Sequence, residues 1–138
     1  MMKNILSVIA GLIAGFLVIV IMEAISHKMY PLPPGFDLDK ADNEMLGLLM
    51  EIMPMGAFMM ILIAYSLGSF SGGIISAAIS NKIHQPLMVG GVLMLAGIIN
   101  LLMIRHPVWF AVVSLFMYLP FSFAGGKIGV MIKKKVKK

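Results

Sequence analysis

The chain has 138 residues, enough for one domain, and 60% of them are hydrophobic while only 12% are charged. Soluble domains carry about one quarter charged residues, so this composition excludes a surface that faces water throughout. The absence of cysteine excludes disulfides, thiolate metal ligands and a cysteine nucleophile. The net charge of +5 does not indicate nucleic acid, because five lysines crowd into the last six residues, directly after an apolar segment, where they are typical of a membrane anchor.

Four segments are long and apolar enough to cross a bilayer, which takes about 20 residues of helix. They cover about residues 5–25, 55–78, 87–104 and 108–132. Short polar connections at 81–86 and 105–107 predict tight antiparallel hairpins. We therefore expect an all-α fold, in which residues 1–138 form a single polytopic membrane domain of four transmembrane helices.

The first span follows Lys3 and ends near the small residues of "AIS" at 24–26, as a cleaved signal peptide would. Its apolar run, residues 5–22, is longer than the roughly 7–15 residues of a signal-peptide core. The first span is therefore predicted to remain in the protein.

The segment 31–53 predicts an outer loop followed by a short helix in the interface. Its prolines and Gly35 favour turns, and a helix is expected to begin near Asp39. One face of that helix would be polar, a pattern typical of a helix lying flat among lipid headgroups. A single long helix kinked at Pro54 is the alternative. The polar face consists of Lys40, Glu44, Gly47 and Glu51.

Two segments of the chain resemble each other. Residues 65–82 and 118–135 share the pattern Y-x3-S-F-x-G-G-x-I-x3-I-x2-K without a gap. The first and third spans match poorly. The pattern predicts two tandem related hairpins, with a pseudo-two-fold axis along the membrane normal.

Glycines recur at a spacing of four in three of the spans. Lipid supplies no hydrophobic drive between helices, so small residues that allow close backbone approach are typical of helix contacts in membranes. A cavity for a ligand, lined by the paired glycines, is the alternative. The glycines predicted to pack helices are Gly11, Gly15, Gly68, Gly72, Gly73, Gly125, Gly126 and Gly129.

Orientation follows from the basic residues. With both termini in the cytoplasm, eight lysines lie inside, against Lys28, Lys40 and Arg105 outside, as the positive-inside rule requires. The cytoplasmic membrane is the expected location, and all acidic residues then fall on the outer side. The predicted interfacial anchors are Trp109, Lys127, Lys133, Lys134 and Lys135.

The outer ends of the spans carry the side chains best suited to a site. Glu23 and His27 lie four residues apart on one helix face, and Glu51 and His106 end neighbouring segments. Carboxylate and imidazole groups suit zinc and other divalent ions, so these four residues are weak candidates for a metal site. The alternative is local pairing at the interface, such as Glu23 with Arg105. Deeper in the membrane the expected polar side chains are serines, Tyr65, Tyr118 and Asn100.

Methionines cluster in the outer part of the second hairpin arm, and thioethers bind Cu(I). Met is more often a flexible apolar filler, so no copper cofactor is predicted. The cluster comprises Met45, Met50, Met53, Met55, Met59 and Met60.

No catalytic motif occurs in the sequence, so an enzyme has no positive support and no cofactor is expected. The expected role is an accessory, assembly or binding component that packs through glycine-rich helix faces. Its expected partners are the lipid bilayer and either copies of itself or another membrane protein, and no nucleic acid is expected. The alternatives are a small oligomeric transporter or channel, and a membrane enzyme or metal-binding protein with an outer Glu/His site.

The orientation is testable because every introduced cysteine is the only thiol of the chain. In intact cells, a membrane-impermeant maleimide should label Asp39→Cys and should leave Lys137→Cys unlabelled until the membrane is permeabilised. Labelling in the reverse order would contradict the predicted orientation.

Overall fold

The computed structural model describes all 138 residues, and every regular element in it is a helix. Four of the helices are long and apolar enough to cross a membrane, which confirms the predicted all-α chain with four such helices. These are α1 (Met2–Met29), α3 (Met55–Ser80), α4 (His84–Met103) and α5 (Val108–Lys137), while α2 (Asn43–Ile52) and a 3-10 helix (Leu38–Lys40) lie between α1 and α3.

The long helices exceed the predicted segments at their polar ends. Helix α4 begins at His84, inside the predicted connection, because Pro86 falls in the first turn, where its missing N–H is harmless. Helix α3 ends at Asn81, which takes a left-handed conformation with φ of 58° and donates its backbone N–H to the Ala77 carbonyl. That left-handed residue turns the chain back into α4.

The predicted start of the short helix at Asp39 was wrong. Asp37 instead caps the 3-10 helix by accepting the backbone N–H of Asp39. Asp42 caps α2 by accepting the backbone N–H of Met45 at 2.8 Å. The chain has three aspartates in this region that could cap a helix. Helix α2 starts after the one whose carboxylate accepts the N–H of the third residue of the helix.

Helix α3 lies at the centre of the bundle, with α1 and α5 on its two sides and α4 in contact with all three. The contacting residue pairs show that α1 and α4 run antiparallel to α3 and α5, because residue numbers that rise along one helix fall along its partner. One end of the bundle, here called the lysine end, carries Lys3, Lys82 and Lys133. The opposite end, called the His106 end, carries the last turns of α1 and α4, all of α2 and the first turns of α3 and α5.

Helices α1 and α3 approach each other backbone to backbone. A Cβ atom added to Gly11 would lie 2.7 Å from the carbonyl oxygen of Gly72, and one added to Gly15 would lie 2.8 Å from that of Gly68. Real Cβ atoms do not come this close to a backbone oxygen. Two pairs of glycines therefore set the distance between these helices.

The other side of α3 meets α5 in the same way. A Cβ on Gly73 would clash with the carbonyl of Ser122, and one on Gly125 would clash with the carbonyl of Phe70. Ser122 also donates its buried hydroxyl to the Pro86 carbonyl of α4. This hydrogen bond joins α4 and α5 at the level where α3 and α5 are closest.

Along α1 the small residues point inward and most large apolar residues point outward, the reverse of a soluble bundle. In α1 the buried positions include Ser7, Gly11 and Gly15, whereas Phe16 is 62% exposed. An apolar surface of this extent is stable only against an apolar solvent. The packing therefore fits a membrane protein, as the four long apolar helices do.

The glycine contacts predict unequal costs for the same substitution. Gly72→Ala and Gly125→Ala force a methyl group against backbone atoms, so each should lower the free energy of unfolding by about 1–3 kcal/mol. Gly91→Ala is the matched control, because a Cβ there meets nothing within 4 Å, and it should leave stability unchanged or raise it by up to about 1 kcal/mol. Unfolding in mild detergent, followed by circular dichroism, measures all three; equal effects at the three positions would contradict the close packing.

Candidate site at the His106 end

A pocket of about 410 Å³ lies at the His106 end of the bundle. Its walls come from the last turns of α1, the loop that follows, helix α2, the first turns of α3 and the end of α4. Most of the lining residues are hydrophobic, including Leu32, Leu49, Met53 and Ile61. Volumes of about 300–1,000 Å³ with apolar walls and a few polar groups are typical of small-molecule sites.

Glu23 is the only acidic side chain that lines this pocket, and no lysine or arginine lines it. The residue is half-buried in the last third of α1. Its carboxylate makes no hydrogen bond and no ion pair, since the single ion pair of the structure joins Lys40 to Asp37 on the surface. The pocket therefore holds one carboxylate without a partner of opposite charge.

Tyr65 of α3 and Asn100 of α4 also line the pocket. The Tyr65 hydroxyl lies beside the Asn100 side chain and within electrostatic range of Glu23. The Tyr65 ring stacks on Tyr118 of α5, with the ring centroids 5.3 Å apart. These contacts hold the Tyr65 side chain at the base of the pocket, where α3, α4 and α5 meet.

Two histidines also line the pocket, as do the hydroxyl-bearing residues Ser26 and Tyr30. His27 is exposed in the last turn of α1, four residues after Glu23, and His106 is half-buried just before α5. His106 Nδ1 lies 2.7 Å from the carbonyl oxygen of Ile104. Because a carbonyl only accepts, Nδ1 carries the proton in this contact, and in the neutral ring Nε2 is then an acceptor.

The structure divides the four residues proposed for a metal site. Glu23, His27 and His106 line one pocket, while Glu51 lines a second pocket together with Arg105. No group of three or more His, Asp or Glu side chains is close enough to hold a metal ion. The suggested pairing of Glu23 with Arg105 was wrong, because these side chains line different pockets and form no ion pair.

Of the four residues of the predicted polar face, Lys40, Glu44 and Glu51 are exposed and Gly47 is not, and Lys40 lies in the 3-10 helix rather than in α2. Gly47 is buried, and a Cβ on it would meet the Arg105 side chain at 3.5 Å. Glu44 and Glu51 line the second pocket beside the same arginine. The polar side of α2 therefore faces the connection between α4 and α5.

The methionine cluster is dispersed in the structure. Met50 and Met53 line the pocket, whereas Met45, Met55 and Met59 are exposed. The two that line the pocket serve as apolar wall, beside leucines and prolines.

Sequence reasoning missed the part that Tyr65 and Asn100 play. Both were expected as polar side chains within the membrane. Nothing in the sequence indicated that they would lie near Glu23, because the three residues belong to three different helices. The signal was the depth of Asn100, a polar amide in the last turn of a span and only four residues before Ile104. Loop residues 30–33, which also line the pocket, carried no signal beyond their prolines.

The predicted anchors lie at the two ends of the bundle. Lys133 donates from Nζ to the Ile79 carbonyl at 3.0 Å, and Lys127 places its Nζ 4.8 Å from the centroid of the Phe123 ring. Trp109 packs edge-on against Phe58 at the His106 end.

An aromatic cluster supports the pocket from the side of α5. Phe110 is 1% exposed and contacts the rings of Phe58, Tyr65 and His106. Since Tyr65 and His106 line the pocket, the position of Phe110 determines where two of its polar groups stand.

No protein-family model matches the chain, and comparison with the curated proteins and with the solved structures gives no match. The fold and the site alone define the class: an all-helical bundle with four helices of membrane-spanning length and a largely apolar pocket at one end.

Phe110→Ala should remove the centre of the aromatic cluster and lower the free energy of unfolding by about 3–5 kcal/mol. Phe116→Ala is the matched control on the same helix, because Phe116 is 73% exposed and lipid replaces the contacts that its ring loses. Unfolding in detergent measures both. Equal stability of the two variants would show that the cluster does not support this end of the bundle.

Proposed function

We propose that the chain is a four-span membrane protein whose role is to bind a small, largely apolar molecule in the pocket at the His106 end. The observation that carries this proposal is the pocket itself: about 410 Å³ of space with apolar walls, on which Glu23, Tyr65 and Asn100 converge. The role is that of a binding component rather than of a catalyst.

Assembly with other membrane proteins through glycine faces has less support, because the glycines are in use within the chain. Gly11 and Gly15 lie against α3, and Gly125 lies against the opposite side of α3. A partner helix would have to replace one of these contacts. Gly91 is the glycine in a span that meets nothing within 4 Å, and a single glycine makes a poor interface.

A transporter or channel also has less support than a binding protein. The pocket lies at the His106 end, and between it and the lysine end the helices touch through glycine backbones, as Gly11 and Gly72 do. A pathway through one chain would require these contacts to separate. An enzyme is not favoured, because Ser26 lines the pocket without a hydrogen bond to His27 or His106, so no activated nucleophile is formed.

We further propose that both termini are cytoplasmic, which places the pocket on the outer side, and that α2 lies in the outer interface. The exposed side of α2 supports this placement, because Met45, Leu48 and Ile52 are each exposed there and recur at helical spacing. Such a side is suited to the boundary between headgroups and acyl chains.

We also propose that the two hairpins arose by duplication. Helices α3 and α5 carry the matching segments, run parallel and meet through residues of the shared pattern: Tyr65 stacks on Tyr118, and Gly73 lies against Gly126. Like positions facing each other across α3 and α5 are what a pseudo-two-fold axis along the membrane normal would produce.

Photolabelling tests the binding site. A small uncharged phenyl-diazirine, added to the protein in lipid nanodiscs and irradiated, should label pocket residues such as Met50, Met53 and Ile61, as mapped by mass spectrometry. Ile61→Trp should reduce this labelling at least about fivefold, because the indole fills the pocket and excludes the probe.

Ile63→Trp is the matched control, since Ile63 lies two residues away on the exposed side of α3 and its indole would face lipid. Circular dichroism establishes that both variants remain helical. Labelling that spreads evenly over the lipid-facing helices, or that Ile61→Trp leaves unchanged, would overturn the proposed binding function.

A further inference from the structure

The polar groups of the pocket share one chemical property, which is that they accept hydrogen bonds. Glu23 is an acceptor in its charged form, and the hydroxyl of Tyr65 and the amide oxygen of Asn100 can accept as well. His106 already uses its Nδ1 proton on the Ile104 carbonyl, so the neutral ring adds an acceptor and no further donor.

The charge balance of the pocket points the same way. Glu23 is the one carboxylate in the lining, and no lysine or arginine lines the pocket with it. Arg105, which the sequence suggested as a partner of Glu23, lines the other pocket beside Glu44 and Glu51. His27 is the one titratable group placed to offset the Glu23 charge, and it is exposed in the last turn of α1.

An ionised carboxylate in an apolar setting is costly unless a cation or donors meet it. In this structure Glu23 forms no hydrogen bond and no ion pair, and the one charge-bearing group that interacts with it is the exposed His27. A ligand with a positive, hydrogen-bond-donating head would satisfy Glu23, Tyr65 and Asn100 together. An anionic ligand would be repelled by the Glu23 carboxylate and would meet no lysine or arginine in the lining.

The rest of the pocket fits an apolar body. Leu32, Leu46 and Leu49 and the methionines at 50 and 53 face it from the loop and from α2. Helix α2 packs only lightly on the four long helices, so this wall can move to admit a ligand without disturbing the bundle.

From these observations we propose that the pocket takes a lipophilic primary amine, whose ammonium group pairs with Glu23 beside Tyr65 and Asn100 and whose apolar part lies under α2. This inference rests on the proposed binding function and adds the chemical class of the ligand.

Competition against the same photoprobe tests the ligand class with three compounds that differ only in the head group: 4-phenylbutylamine, 4-phenylbutan-1-ol and 5-phenylpentanoate. Nanodiscs of zwitterionic lipid avoid the extra attraction that an anionic membrane surface would exert on the charged amine. The amine should block pocket labelling at a concentration about tenfold lower than the alcohol, the gain expected of one charge-assisted hydrogen bond, and the carboxylate should be the weakest of the three.

Glu23→Gln should abolish the advantage of the amine while the alcohol still competes, which also shows that the pocket of this variant is intact. Glu51→Gln is the matched control, because Glu51 lines the second pocket, and it should keep the wild-type order. If Glu23→Gln does not fold, the comparison of the three compounds on the wild-type protein still tests the ligand class.

The outcomes separate the two proposals. Equal competition by amine and alcohol in the wild-type protein, or an amine advantage that survives in Glu23→Gln, would overturn the amine class and leave the binding function standing. Absence of pocket labelling by the photoprobe would overturn both.

Discussion

The contact between glycine backbones on the two sides of α3 is the constraint on which the rest of the structure depends. Gly68 and Gly72 contact α1 on one side of α3, and Gly73 contacts α5 on the other. Because water is not the solvent on the outside, this association gains nothing from burying large apolar side chains and must come from close dispersion contacts and interhelical hydrogen bonds. The hydroxyl of Ser122, bonded to the Pro86 carbonyl, supplies one such hydrogen bond at the same level.

The position of this contact also explains why the pocket lies at one end only. Between Gly68 and Gly73 the facing residues of α3 are glycine and serine, so the neighbouring helices leave no space. Towards the His106 end the buried residues become large, with Phe58, Leu62 and Phe110 forming a cluster of their own. At this end the pocket is lined by the last turns of α1 and the first turns of α3, and it is covered by the loop and by α2 rather than by another span.

Much of this architecture could be predicted from the sequence, and the reason is that the bilayer imposes simple rules of length and polarity. The four helices of membrane-spanning length follow from those rules. The start of α2 did not, because three aspartates compete as caps and only the folded chain decides between Asp37, Asp39 and Asp42. Residue types at the helix ends identified Glu23, His27 and His106 as candidates, and all three line the pocket.

What the sequence could not predict is which of the end residues would meet. Glu51, Arg105, Glu23 and His106 all lie at the same end of the bundle, yet the first two line a different pocket from the other two. Helical spacing gives the face on which a residue lies, but not the rotation of a short helix that packs only lightly on the bundle. Helical spacing also could not predict that Tyr65 and Asn100 lie near Glu23, because their arrangement depends on how three helices pack together.

A half-buried carboxylate without a partner is a cost that an isolated bundle has no reason to carry, because a glutamine of equal size would fill the same space without a charge to desolvate. Glu23 contributes to no helix cap and to no ion pair, and the charge-bearing group that it faces is the exposed His27. Helix α2, which roofs the pocket, is also the least firmly packed helix of the chain, as an element that must open and close is expected to be. An unpaired charge beneath a movable roof is an arrangement suited to a ligand that brings the opposite charge with it.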